Sequence, residues 1–267
     1  MNPRRLAAVK GTFYPDNCKK LSIYFQKFTD AIGSTLQKSD IYKLTPRAII
    51  VPHAGYIYSG FTANVAYKLL SKTKAKRIII IGPSHRHYFQ GISGSYYESY
   101  ETPCGDMNID SDYLIALAKK HNIGFEPKAH ASEHSTEVQV PFVKHYLGDT
   151  DIIELVYGDI SAELVSEIIT TLLSDKENAV VISTDLSHFH DQTKANQLDE
   201  HCLQAISKLD LSELEKGCEA CGMIGIKAMI LTAKKLNYNS HLLDYRTSAD
   251  YSGDKSRVVG YTSAMFY

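Results

Sequence analysis

The chain has 267 residues, 44% of them hydrophobic and 22% charged, with a formal net charge of −1. That composition supports a sizeable core and excludes wholesale disorder, and the interspersed charges leave no electrostatic footprint for a nucleic acid or an anionic membrane. No apolar run approaches about eighteen residues and the opening "MNPRRLAAVKGTFYPDN" lacks an apolar leader core, so neither a membrane span nor a signal peptide is expected. The five cysteines (Cys18, Cys104, Cys202, Cys218 and Cys221) are odd in number and sparse. Free thiols in a reducing cytoplasm are the expectation, open to metal or thiol chemistry at any one of them.

In chain order, "NCKKLSIYFQKFTDAIG" (17–33) places Leu21, Tyr24, Phe25 and Phe28 on one face of an amphipathic helix, a packing face. "AIIVPH" (48–53) reads as a buried strand and "GFTANVAYKLLSK" (60–72) as a helix, followed by a solvated basic loop, "KTKAKR". "RIIIIGPSH" (77–85) is a second strand whose unbroken isoleucines belong to a sheet covered on both faces. After an irregular tyrosine-rich stretch, helices are expected near 111–120 and 133–147, a strand at 151–158, a helix at 161–174 and a strand at 178–185. Helices near 193–208 and 222–236 precede two last strands, 239–246 and 256–267. Strand–helix alternation with no Pro/Gly/Ser-rich linker predicts one α/β domain over 1–267, with a mixed, largely parallel sheet flanked by helices.

Ligand sites of open α/β sheets lie outside the carboxyl ends of the strands. His53 ends the first strand, Ser84 and His85 the second, and Asp185 and His188 follow the strand at 178–185. Neighbouring strands lie about 4.8 Å apart, so His53 and His85 can bring imidazoles to one ion. The third ligand has several candidates. Cys218 and Cys221 precede a helix, whose N-terminal partial charge favours thiolate. "EHSTEVQVPFV" offers Glu133, His134 and Glu137, although acidic residues opening a helix are ordinary capping chemistry. The other histidines (His87, His121, His130, His145, His190, His201 and His241) read as surface or hydrogen-bonded core residues. Gly55 and Gly60 suit a sharp turn from strand to helix, and Tyr56 and Tyr58 lie in that turn.

"GTFYP", "VPHAGYIYSG", "GPSH", "HSTEVQVPF", "STDLSH" and "CGMIG" follow one another in the order found in Memo-like proteins, which the chain resembles nearly end to end. That family is named for the eukaryotic mediator of ErbB2-driven cell motility, and its prokaryotic members are called AmmeMemoRadiSam system protein B. The resemblance implies a fold like that of the class III extradiol, LigB-type dioxygenases, which hold non-haem Fe(II) with two histidines and a glutamate. It also implies metal ligands at His53, His85 and Cys221, and a catalytic pair at Asp185 and His188, with His188 at the acid/base position. Cysteine in place of glutamate makes the site softer, suited to Fe(II), Cu or Zn, so ring cleavage is not carried over. Radical-SAM and AMMECR1-type proteins are the partners implied for a prokaryotic member. The chain lacks a C-x-x-x-C-x-x-C run and is not the radical-SAM component itself. Three functions compete: a metal-dependent Fe or Cu redox protein with a small-molecule substrate, a non-catalytic adaptor on an enzyme-like fold, and a hydrolase using zinc-bound water.

Overall fold

The computed structural model describes residues 4–33, 39–95, 97–148 and 150–267. Tyr96, in the tyrosine-rich stretch, lies outside the described residues. Among the described residues eleven strands are formed: β1 (Arg4–Arg5), β2 (Ala48–Val51), β3 (Arg77–Pro83), β4 (Ile92–Gly94), β5 (Ser99–Tyr100), β6 (Met107–Asn108), β7 (Asp151–Tyr157), β8 (Asn178–Ser183), β9 (His188–His190), β10 (Ser240–Thr247) and β11 (Val258–Phe266). The main sheet runs β10-β11-β2-β8-β3-β7-β4, with β9 on β11. Its centre, β2-β8-β3-β7, is parallel, and its flanks are antiparallel.

Burial explains the isoleucine run in β3. Ile79 and Ile81 join one core cluster, Ile78 and Ile80 the other, and all four are 0% exposed. Successive side chains alternate across the pleat, so a strand covered on both sides needs apolar residues at every position. Helices α1 (Cys18–Ile32), α2 (Tyr56–Leu70) and α6 (Val140–Leu147) cover one face with Phe25, Tyr67 and Phe142. Helices α7 (Ala162–Ser174), α8 (Gln192–Lys208) and α10 (Met223–Leu236) cover the other with Ile169, Ile206 and Met229. The remaining helices are short: α3 (Ser111–His121), α4 (Pro127–Ala131), α5 (His134–Glu137), α9 (Leu211–Leu214) and α11 (Ala249–Ser252).

The expected mixed, largely parallel sheet flanked by helices is therefore the architecture found. Three details differ from the sequence reading. The helix expected over 133–147 is two helices, α5 and α6. The tyrosine-rich stretch supplies β4, β5 and β6, and β1 joins the last two in a small second sheet. The cysteines are not all free thiols: Cys18 bonds Cys104, and Cys202 bonds Cys218, leaving Cys221 alone. The pairing escapes a reading by spacing because each bridge joins elements that only the tertiary fold brings together.

Gly55 has an ordinary negative φ of −56° and needs no left-handed conformation. Gly60 lies inside α2, where a Cβ would come within 2.8 Å of the Phe28 ring, so its absent side chain lets α1 approach α2 closely. Tyr56 is core, its hydroxyl donating to the Val138 carbonyl at 2.7 Å, whereas Tyr58 is 42% exposed beside Tyr251.

Candidate metal centre

Strand register builds the site. Val51 pairs with Ser183, Ile81 with Ile182, and Pro83 with Tyr157, so the parallel strands finish along one edge of the sheet. His53 lies just beyond Val51, His85 beyond Pro83 and Asp185 beyond Ser183, and the turn before α10 brings Cys221 to the same place. One donor atom each from His53, His85 and Cys221 lies within 4.8 Å of the others. The Cys221 Sγ is 3.2 Å from His53 Nε2, and the His53 and His85 ring centroids are 5.1 Å apart. The convergence expected of two imidazoles and a distant sulfur is thus present.

Each donor is held by its surroundings. The backbone N–H of His53 donates to Asp185 Oδ1 at 2.7 Å, and its Nδ1 is 3.0 Å from Ser183 Oγ. The backbone N–H of His85 donates to Glu133 Oε2 at 2.5 Å, and its Nδ1 is 2.9 Å from Glu133 Oε1. Cys221 Sγ accepts the Asp185 N–H at 3.2 Å, while Gly222 N–H donates to Thr184 Oγ1 at 2.9 Å. A side chain on Gly222 would collide with Thr184 at 2.5 Å, so glycine is what lets the Cys221 turn sit against β8.

Burial sets the protonation states. His53 is pushed well below the usual imidazole range by burial, then by the neighbouring His85 and His134. Burial, with the charge of Asp185 next, pushes the Cys221 thiol up to about 12. The thiolate expected from the helix N-terminus is therefore outweighed by desolvation. Burial also raises Asp185, to about 7, against the pull of the His53 backbone N–H. Glu133 goes the other way: burial opposes its ionisation, but hydrogen bonds from the His85 side chain and backbone win and bring it to about 2.

The remaining candidates divide cleanly. His188 stands on β9, close enough to help suppress charge on His53, and burial lowers its own pKa. Asp185 faces His53 rather than His188: its Oδ2 is 4.0 Å from His53 Nε2, and no Asp185–His188 hydrogen bond is found among the described residues. His134 joins the cluster, 4.6 Å from the His85 ring and 5.4 Å from that of His53. Glu133 caps α5 as expected of an acidic residue opening a helix, and holds His85 as well. Glu137 is structural, accepting from Val9, Ala8 and Tyr14 and pairing with the buried Arg5. Cys218 is spent in its disulfide.

Among the histidines read as structural, His130 is buried between Glu154 and Ser93, His145 stacks on Phe25, and His190 pairs with Glu219. Sequence reasoning missed Ser183 and Gln139, which read there as strand and helix residues without chemical distinction. It also missed Phe189, whose φ of +65° is uncommon for a bulky residue and whose 62% exposed ring lies beside His188 under Arg257.

Comparison with known proteins bears on family and fold. A MEMO1 family protein of Saccharolobus solfataricus is 34% identical over 281 aligned positions, covering 98% of this chain and 99% of its own. A MEMO1 family protein of Sulfolobus acidocaldarius is 34% identical over 280, with the same coverage. Among solved structures, an uncharacterized protein from Escherichia coli K12 superposes with a TM-score of 0.55 at 12% identity, covering 83% of this chain and 100% of that one, a likeness of fold. The profile described as "Memo-like protein" matches residues 5–265, a span that takes in Arg5, all three converging donors and the sheet that aligns them. The chain belongs to the Memo-like family.

Proposed function

We propose that the chain is a metal-dependent redox protein, with one Fe or Cu ion held by His53, His85 and Cys221 and protons handled by Asp185 and His188. The observation that carries this reading is the approach of three donor atoms, from three distant parts of the chain, to within 4.8 Å of one another. Two imidazoles and one sulfur gathered this closely are the donor types that bind such ions at about 2.0–2.3 Å. Sulfur among the donors favours Cu or Zn while accommodating Fe(II), and a site open on the His85 side leaves room for a small molecule. Such an ion supplies Lewis acidity and, for iron or copper, an electron.

The chain's own groups do the rest. His53 is kept neutral by burial, as a ligand must be. Asp185, at about 7, takes up or releases a proton near neutrality beside the donors. His188, lowered by burial, is a base at the same pH. The exposed aromatic pair Tyr58 and Tyr251, and separately the exposed Phe189 beside His188, favour a second reading, recognition of a protein partner, for which radical-SAM and AMMECR1-type proteins are the candidates. The location proposed is a cytoplasm less reducing than free thiols would need, one in which two disulfides persist.

The test is the metal content of protein purified without a histidine tag, beside His53→Ala and Cys221→Ser. Close to one Fe or Cu per chain in the parent, and at least a tenfold loss in both variants, is expected. Equal metal in all three ends the metal reading. Partner capture that persists through both substitutions favours the adaptor.

A further inference from the structure

Two imidazoles can serve one ion only if each turns a bare nitrogen toward it, and a neutral ring has one bare and one protonated nitrogen. Hydrogen-bond accounting around the segment Glu133–Gln139 decides which is which. At His85 the partner of Nδ1 is Glu133 Oε1, at 2.9 Å. Glu133 is fully buried, and its oxygens also take N–H bonds from His85, His134 and Ser135, as an ionised, acceptor-only carboxylate does. The hydrogen of that contact therefore sits on Nδ1, and in the neutral ring Nε2 is the bare nitrogen.

At His53 a chain of hydrogen bonds runs from Pro52 through Gln139 and Ser183. The Pro52 carbonyl, an obligate acceptor, lies 2.9 Å from the Gln139 amide and fixes its nitrogen on that side. The same nitrogen donates to Ser183 Oγ at 2.9 Å, while the Gln139 oxygen accepts from the Tyr67 hydroxyl at 3.2 Å. Ser183 has one hydroxyl hydrogen, and it goes to the Ser135 carbonyl at 2.6 Å. Ser183 Oγ can then only accept from His53 Nδ1, 3.0 Å away. His53 is protonated on Nδ1, and its bare Nε2 faces Cys221 Sγ at 3.2 Å.

We infer that the Glu133–Gln139 segment is a double tautomer lock: Glu133 sets His85 directly, and Ser135 with Gln139 sets His53 through Ser183. Each ring then carries its hydrogen on Nδ1 before anything binds, and His53 turns its bare Nε2 toward Cys221 Sγ. Partners of this kind, behind the ligands, orient rings and raise affinity without touching the bound group. Glu133, Ser183 and Gln139 are thus positioning residues. The inference rests on the proposed metal reading only for what the bare nitrogens meet.

Selective 15N labelling of the histidines in metal-free protein reads the ring hydrogens directly, with His53 and His85 assigned through their own substitutions. The parent protein is expected to carry hydrogen on Nδ1 of both rings at neutral pH. Ser183→Ala should release only His53 into a mixture of tautomers, and Glu133→Ala only His85. Zn(II) affinity, measured by chelator competition, should fall about 10- to 100-fold in each. Hydrogen on Nε2 of either ring in the parent protein overturns the lock, whether or not the variants fold. So do variants whose ring patterns match the parent. Locked rings without Zn(II) uptake leave the lock standing and sink the metal reading, and Zn(II) uptake by rings protonated on Nε2 does the reverse.

Discussion

Cys221 is the chain's one cysteine outside a disulfide, and burial holds its thiol up at about 12. Thiolate is the reactive form, so the folded, metal-free protein should react with Ellman's reagent far more slowly than a free cysteine. Unfolded without reductant, it should titrate one thiol per chain, and Cys221→Ser none. The carboxyls that hold the two histidines, Glu133 at His85 and Asp185 at His53, pull stability in opposite directions with pH. Glu133 falls from 4.5 to about 2, so its contribution is complete above pH 4.5 and lost as pH falls through 2. The shift corresponds to on the order of 3 kcal/mol. Asp185 rises from 3.8 to about 7, so the folded state holds the extra proton and stability declines as pH rises across that window. Urea unfolding should therefore show Glu133→Gln less stable than the parent at pH 6, with the gap shrinking toward pH 2. Asp185→Asn should abolish part of the decline between pH 4 and 7.

Elements carry these residues, and the N-terminal strand β1 carries more than its length suggests. Arg5 is 1% exposed, pairs with Glu137, and donates to the His130 and Glu133 carbonyls at 2.9 Å each. It ties the start of the chain to α5, hence to the residue that holds His85. Removing one partner of such a pair strands a buried charge, so Arg5→Ala should cost about 3–5 kcal/mol in urea unfolding. The elements were legible in the sequence where period and burial agree: the β3 isoleucines, the amphipathic face of α1 and the breaks at strand ends. They were illegible where tertiary contacts decide. Nothing local distinguishes Gln139 as the break between α5 and α6, because its amide is committed to Pro52 and Ser183. Nothing in the sequence around Arg5 pointed to its burial against Glu137.

For the whole molecule, strand-end histidines were enough to anticipate that His53 and His85 come together, since a parallel sheet brings its C-terminal ends to one edge. What the pattern did not reveal was the orientation of the Asp185 carboxylate, which binds the His53 backbone, or the pairing of four cysteines. Both depend on loops that cross between layers, where no periodicity operates. The donors also join parts of the chain far apart in sequence: His53 and Cys221 are separated by 168 residues. An occupant of that point would behave as a reversible staple across most of the polypeptide, grasping only the folded arrangement. Its grip should then register as heat resistance: at a hundredfold excess over the dissociation constant, about 2.7 kcal/mol is added to unfolding. Adding Zn(II) to stripped protein should raise the melting temperature in a concentration-dependent way, and the increment should vanish in Cys221→Ser, so that a simple melting curve reports whether the two distant ends have been fastened.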